Sequence, residues 1–220
     1  NHRLWRAAQD HPFVHALADG SLDRDRFVHY LKQDFAYLQA YARAISIAAA
    51  KAPGLTLMAE FSGLAHETLN TEMQLHRDYC SGFDITEEQL EAVEASPVCR
   101  AYGDFCIATA SIGGCAELLA GLIPCGVGYA ETAMRLKQGL AATEHPYRRW
   151  IETYAGPEYL SYAGWMISAF DALAQDAPHA AARRLDALFV LGCRYEWLFW
   201  EMAWTGDSWP DLQSTEGIPT

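Results

Sequence analysis

The sequence SLDRDRFVHYLKQDFAYLQAYARAISIAAAKA, residues 21–52, decides the class of fold. Its apolar side chains recur at intervals of three and four residues, the period of an α-helix with one buried face. Ser21 or Asp23 can cap this helix at its start, and Pro53-Gly54 ends it. Strand signals are almost absent from the rest of the chain. The sequence therefore predicts an all-α protein that contains this long helix.

Capping residues, glycines and prolines divide the remainder of the chain into further helices. The predicted ranges are 55–80, a short helix to about 94 opened by a Thr86–Gln89 capping box, 96–111, 115–140, 145–154, 156–175 and 178–205. About eight helices with short connections predict a helical bundle. Because composition does not change along the chain, we expect a single domain over residues 1–205, followed by a polar tail at 206–220.

Charge and composition exclude several classes of function. The 220 residues include 28 Asp and Glu against 16 Lys and Arg, so the formal net charge is −12. An acidic surface repels nucleic acid and anionic membranes. The longest uncharged apolar stretch, 118–130, is too short to span a bilayer, and no secretion signal is recognised. Six scattered cysteines without a C-x-x-C pair indicate reduced thiols, and hence a cytoplasmic protein.

Two carboxylates lie on helix faces that are otherwise apolar. Asp34 is the only charge on one face of the first long helix, and Glu196 is the only charge on one face of the last helix. Burying an unpaired carboxylate costs several kcal/mol, so each group must be hydrogen-bonded, paired or protonated. Either could satisfy a helix end or an arginine. Two of them in one chain favour a functional site.

Pro124 interrupts an apolar helical stretch, LAGLIPCGVGY at 119–129, directly before Cys125. Proline lacks a backbone donor and clashes with the carbonyl of Ala120, so the helix must kink, or end and restart at Pro124. In the second case Cys125 lies at a helix N-terminus, where the dipole favours a thiolate. We hypothesise that Cys125, Asp34 and Glu196 converge on one pocket.

Aromatic residues follow each of these three groups at helical spacing. Tyr129 lies four residues after Cys125, and Tyr37 and Phe199 lie three residues after Asp34 and Glu196. Such rings are usually core residues, but tyrosine hydroxyls beside inward polar groups need partners. A pocket walled by rings and lined by a few polar groups suits a flat heteroaromatic ligand.

Six short motifs then occur in a fixed order between Leu4 and Met202. They are QDFAYL at 33–38, EMQLH at 72–76, SP at 96–97 followed by AY at 101–102, LIPC at 122–125 with Tyr129 and Glu131, HPY at 145–147 through WI at 150–151 to Tyr154, and YEWLFW at 195–200. Together they resemble the TenA family, the thiaminase II or aminopyrimidine aminohydrolases. The resemblance implies a haem-oxygenase-like helical bundle whose reaction uses no haem, metal or other cofactor.

The resemblance also implies an activity and an assembly. The activity is hydrolysis of a small pyrimidine, 4-amino-5-aminomethyl-2-methylpyrimidine, to the hydroxymethyl compound and ammonia in thiamin salvage, with thiamin itself as a further substrate of many members. The usual assembly is a homotetramer built as a dimer of dimers.

Roles follow for the residues that match the motifs. Cys125 resembles the nucleophile, Glu196 the acid/base and Asp34 the carboxylate that binds the pyrimidine and orients the thiol. Five residues match the lining of the family's substrate site: Tyr37, Tyr102, Tyr129, Tyr154 and Phe199. The chain departs at Phe35, often tyrosine in the family, and at 126–128, Gly-Val-Gly, where bulky residues are common. Small residues there could enlarge the pocket or loosen the turn.

Two other classes of function stay open. A metal- or oxygen-dependent enzyme on the same fold is suggested by His66, Glu67, Glu72 and His76, although only Glu72 and His76 have the spacing to share a face and no second set occurs. On this alternative the four side chains bind a metal; otherwise they lie on a solvated or interface helix. A non-catalytic pyrimidine-binding regulator is the third class.

Overall fold

The computed structural model describes residues 2–140 and 144–211, and these residues form helices and connecting turns without a strand. The helices are α1 (His2–Gln9), α2 (Pro12–Asp19), α3 (Arg24–Lys51), α4 (Leu55–Glu67), a π-helical segment (Thr68–Glu72), α5 (Met73–Ser81), α6 (Glu87–Glu91), α7 (Pro97–Ile112), α8 (Cys115–Gly139), α9 (Arg148–Tyr154), α10 (Pro157–Ala174) and α11 (His179–Thr205). The predicted all-α class is confirmed.

Helices α3 and α8 organise the bundle. Helix α3 packs against α4, α5 and α7, while α8 packs against α10 and α11. Contacts of α11 with α3, and of α7 with α8, join the two groups. The face of α3 that carries Asp34 is buried along its whole length. The bundle therefore brings the middles of α3, α8 and α11 together in its interior.

Local capping chemistry sets several helix starts where the sequence predicts them. The side chain of Asp23 accepts hydrogen bonds from the backbone N–H groups of Asp25 and Arg26, which makes it the cap of α3. The Thr86–Gln89 capping box is present at the start of α6. These short-range contacts do not depend on the tertiary structure, which is why sequence patterns locate them well.

Three local predictions differ from the structure. Two helices before residue 20, α1 and α2, were not predicted; α2 begins after His11, whose ring accepts from the Phe13 N–H. The predicted helix 55–80 is divided by the π-helical segment. The helix predicted from His145 begins at Arg148, because the His145 ring accepts from the Tyr147 N–H and holds these residues in a turn.

Pro124 lies inside α8, which continues from Cys115 to Gly139. The helix does not end and restart, so Cys125 lies in a helix interior and not at an N-terminus. The hypothesis that a helix dipole stabilises a Cys125 thiolate is therefore wrong. On the α11 side, Gly192 lies against the Gly121 carbonyl and the Pro124 ring, where a side chain would find no space. The proline thus forms part of a close α8–α11 contact.

The last helix ends at Gly206, whose φ of +76° is the left-handed conformation typical of a helix C-terminus. Beyond it, the Trp209 indole donates to the Ala95 carbonyl at 2.9 Å. The rest of the predicted polar tail, 212–220, lies outside the described residues. Over residues 2–140 and 144–211, none of the helices has an apolar run sufficient to cross a membrane.

Candidate active site

A cavity between α3, α8 and α10 contains five of the eight predicted site residues. We call it the inner cavity. It is lined by Asp34, Tyr37, Leu38, Tyr41, Glu72, Cys125, Tyr129, Tyr154, Tyr159 and Tyr162. Seven of these ten residues bear aromatic rings or aliphatic side chains, so a flat ligand would be enclosed mainly by apolar surface.

The other three predicted site residues lie directly behind this wall. The Tyr102 hydroxyl donates to Glu196 Oε1 at 2.6 Å, and the Tyr102 ring lies 4.7 Å from that of Tyr37. The Phe199 ring lies 5.7 Å from that of Tyr37. The structure therefore brings the eight residues into one continuous cluster.

Cys125 and Glu196 are neighbours in this cluster, and their surroundings shift the pKa of each upward. Burial raises the pKa of Glu196 to about 8, although its hydrogen bonds with Tyr102 and the Cys125 thiol oppose the shift. Burial also raises the pKa of Cys125 well above its usual range, and the Glu196 charge adds to this. The structure thus pairs the thiol with a carboxyl group that can give up its own proton and take that of the thiol as the sulfur reacts.

Asp34 is satisfied by two buried partners that the sequence analysis did not assign to the site. Its Oδ2 accepts from the Tyr30 hydroxyl at 3.2 Å and contacts His76 Nε2 at 2.7 Å. The other His76 nitrogen, Nδ1, lies 2.9 Å from the Glu72 carbonyl, which can only accept. Burial alone would lower the pKa of His76, but the hydrogen bond with Asp34 and its charge raise it. Asp34 and His76 therefore form a buried hydrogen-bonded pair.

The partners of Asp34 could have been found in part from the sequence. Tyr30 lies one turn before Asp34 on the same face of α3, so its proximity follows from helical spacing. His76 lies on α5, and only the packing of α5 against α3 places it beside Asp34. The wall formed by Tyr159 and Tyr162 likewise depends on the packing of α10.

The four candidate metal ligands on α4, the π-helical segment and α5 do not share a site. His76 contacts Asp34, Glu72 accepts from the Tyr154 hydroxyl, and His66 and Glu67 are exposed. No group of three or more ligand-type side chains within the described ranges is arranged to hold a metal ion. The other prediction for these residues, that they lie on a solvated or interface helix, is wrong for His76, which is 1% exposed.

Neither of the effects expected for the small residues at 126–128 is seen at Gly126. A Cβ on Gly126 would lie 2.4 Å from Met166 Sδ and 3.1 Å from the Tyr162 hydroxyl. Residues of α10 therefore occupy the space beside Gly126, which neither enlarges the cavity nor loosens α8. Phe35 does not line the cavity, and its buried ring lies under the Arg77 guanidinium at 5.4 Å.

A second, larger chamber of about 840 Å³ lies outside the inner cavity. We call it the outer chamber. The residues that line both spaces define a neck between them: Tyr41, Glu72, Tyr154, Tyr159 and Tyr162. Four other carboxylates line only the outer chamber: Glu60, Glu67, Asp78 and Glu158. A ligand that reaches Cys125 from the outer chamber passes through the neck.

Comparison with known proteins places the chain in a family. The family model for TENA/THI-4/PQQC matches residues 1–206. The chain belongs to this family. An aminopyrimidine aminohydrolase of Halalkalibacterium halodurans is 37% identical over 207 residues, which are 94% of this chain and 92% of that protein. The predicted family resemblance is confirmed.

Solved structures support the same assignment. The TenA homologue of P. horikoshii OT3 is 35% identical, superposes with a TM-score of 0.86, and the match covers 93% of this chain and 94% of that one. A protein domain of Shewanella denitrificans OS217 with a heme oxygenase-like fold has a TM-score of 0.75 at 11% identity, with 93% and 89% of the two chains covered. The second comparison shows the fold alone, and the predicted haem-oxygenase-like bundle is confirmed.

Proposed function

We propose that this protein hydrolyses 4-amino-5-aminomethyl-2-methylpyrimidine to 4-amino-5-hydroxymethyl-2-methylpyrimidine and ammonia in thiamin salvage, and that it also accepts thiamin. The observation that carries the proposal is the meeting of a thiol, a proton-carrying carboxyl group and an ion-paired carboxylate at one ring-walled cavity. The 37% identical relative named for this activity supports the substrate class.

In the proposed binding mode the pyrimidine lies against the aromatic wall. Asp34 Oδ2 is held by Tyr30 and His76, which leaves Oδ1 for the ring amino group. Tyr30 and His76 both contact Oδ2, so Oδ1 remains available as an acceptor. Tyr37, Tyr129 and Tyr154 face the ring, and Tyr102 and Phe199 support this wall from behind.

The first proposed step is addition of Cys125 to the ring carbon beside a ring nitrogen. Glu196 gives its proton to that nitrogen and takes the thiol proton as the S–C bond forms. No free thiolate accumulates, which agrees with the raised pKa of Cys125. The adduct then expels ammonia from the exocyclic carbon. Water adds to that carbon, the S–C bond breaks, and the sulfur regains its proton.

Ammonia release by the wild type and by Cys125→Ala tests the proposal. Loss of the nucleophile should lower turnover on the order of a thousandfold or more. Cys115→Ala is the matched control, because Cys115 is buried but donates to the Ala48 carbonyl, away from the cavity. Wild-type turnover in Cys125→Ala would contradict the covalent route. Tight pyrimidine binding without ammonia release would favour a regulator.

The assembly and the location of the protein are also proposals. A homotetramer, as a dimer of dimers, is supported by exposed apolar side chains such as Leu55 and Ile112, which are 83% and 79% exposed. A cytoplasmic location is supported by free cysteines at all six positions. Light scattering measures the mass directly, and a monomer would contradict the first proposal.

A further inference from the structure

We propose that Glu72 and the four tyrosines of the neck form a cation site that binds the positively charged leaving group of the substrate. The inference rests on the proposed function, and it assigns specificity for a cationic substituent to residues outside the predicted catalytic set. The cation is the ammonium group of the aminomethyl substrate, or the thiazolium ring of thiamin.

The backbone at Glu72 is held in an unusual geometry. Glu72 is the last residue of the π-helical segment. Its backbone carbonyl accepts a hydrogen bond from Nδ1 of the His76 ring, and the other ring nitrogen, Nε2, contacts Asp34. Single π-helical turns inside α-helices occur frequently at functional sites. The Asp34–His76 pair therefore holds the Glu72 backbone in place, and the Glu72 side chain lines both the inner cavity and the outer chamber.

The Glu72 carboxylate is compensated in part by the charge of the neighbouring His76. Its only hydrogen bond with the described residues is a long one, 3.4 Å, from the Tyr154 hydroxyl to Oε1. The part of the chain that the structure describes places no lysine, arginine or histidine on the wall of either space. Burial raises the pKa of Glu72 to about 7 and the Asp34 charge adds to this shift, while the His76 charge and the Tyr154 hydrogen bond oppose it. A bound cation would stabilise the ionised carboxylate.

The tyrosines around Glu72 are arranged as the sides of a cage. The Tyr154 and Tyr159 rings lie 4.9 Å apart at 85°, and the Tyr159 and Tyr162 rings lie 5.5 Å apart at 74°. The Tyr41 and Tyr162 hydroxyls are hydrogen-bonded to each other across the neck. Aromatic cages attract cations through the negative faces of their rings, and an adjacent carboxylate strengthens the attraction.

This position suits the chemistry of the leaving group. With the pyrimidine on Asp34 and Cys125, a substituent directed toward the outer chamber lies in the neck. An ammonium group can leave as neutral ammonia, keeping the electron pair of the broken C–N bond, whereas an unprotonated amine would leave as an amide anion. By favouring the cation, Glu72 would hold the substituent in its better leaving form.

Two ligands with the same ring test the inference. The aminomethylpyrimidine is a cation, and the hydroxymethylpyrimidine is its neutral counterpart. Both are titrated by calorimetry into Cys125→Ala, which should not turn over the substrate, and into Cys125→Ala/Glu72→Gln. Loss of the charge should weaken binding of the aminomethyl compound roughly tenfold or more. Binding of the hydroxymethyl compound should change less than about threefold.

Glu60→Gln in the same background is the matched control, because Glu60 lines only the outer chamber. It should leave both affinities unchanged. Glu72→Ala, tested beside Glu72→Gln, should give the same selective loss, because both remove the charge. Equal weakening of the two ligands by Glu72→Gln, or no weakening of either, would overturn the inference.

Failure of the inference can be distinguished from failure of the proposed function. If the wild type releases ammonia and Glu72→Gln does not change the ratio of the two affinities, only the cation site is wrong. If the wild type releases no ammonia, the proposed function is wrong, while the affinity ratio still decides whether the neck selects a cation.

Discussion

Gly192 sets the distance between the helices that carry the thiol and its carboxyl partner. A Cβ at this position would lie 2.4 Å from the Gly121 carbonyl oxygen, whereas ordinary contact begins at 3.4 Å. A backbone carbonyl inside a helix cannot rotate away, so Gly192→Ala should separate α8 and α11 by about 1 Å. Cys125 and Glu196 each lie four residues beyond this contact, and they should move apart with their helices.

The expected costs can be estimated from that displacement. Overpacking a close-packed interior costs about 1–3 kcal/mol, and the better helix propensity of alanine offsets about 0.5–1 kcal/mol. The net loss of about 0–2.5 kcal/mol has its middle at about 1 kcal/mol, which corresponds to a fall in Tm of roughly 2–4 °C for a chain of this size. A misplacement of about 1 Å at the reacting groups should lower turnover on the order of a hundredfold.

Thermal unfolding and ammonia release measure the two effects. Gly164→Ala is the matched control, because Gly164 is exposed on α10 and a Cβ there meets nothing within 4 Å. This control should gain about 0.5–1 kcal/mol and keep its turnover. If Gly192→Ala unfolds at or above the wild-type temperature and hydrolyses at the wild-type rate, the α8–α11 contact does not hold the thiol against the carboxyl group.

Three further variants test other parts of the structure. Folding raises the pKa of Glu196 from 4.5 to about 8, so its contribution to stability is full below pH 4.5 and is lost as the pH rises to about 8. Glu196→Gln cannot ionise, so its free energy of unfolding in urea, relative to that of the wild type, should rise by roughly 3 kcal/mol between pH 5 and 8. If this difference in the free energy of unfolding stays constant with pH, the pKa shift is contradicted. Asp34→Asn removes the Asp34 hydrogen bond and charge, which raise the pKa of His76, while the contributions of Glu72 remain. An NMR titration should therefore find a lower pKa than in the wild type, with pyrimidine binding lost. An unchanged pKa would contradict the ion pair. The Lys51 ammonium donates to three carbonyls at the C-terminal end of α7, at 2.6–2.8 Å. Lys51→Met should lower the free energy of unfolding in urea by about 1 kcal/mol. Wild-type stability in this variant would show that these hydrogen bonds add nothing.

Much of the fold could be predicted because its signals act over a few residues. The start of α3 depends on Asp23 and two backbone N–H groups within three residues of it. The end of α3 depends on the proline that follows Lys51 by two positions. The burial of Asp34 and Glu196 also follows from local periodicity, because each is the single charge on an apolar helix face.

Other features could not be predicted, since their partners are distant in sequence. Proline at 124 permits either a kink or a helix end. In the folded protein α8 packs against α10 and α11 and is continuous. The same burial raises the pKa of Cys125, whereas a helix N-terminus would have lowered it. His76 pairs with a carboxylate 42 positions away, so nothing near it in the sequence shows its role.

The sequence by itself determined an all-helical chain, the positions of several helix ends, and a thiol and two carboxylates on inward-facing stripes. Helical period and capping chemistry suffice for that, because they act within one or two turns. Only the tertiary structure decided how those groups are protonated and what surrounds them. Protonation depends on burial and on neighbours from other helices, and the neck around Glu72 forms only where the π-helical segment, α3, α9 and α10 meet.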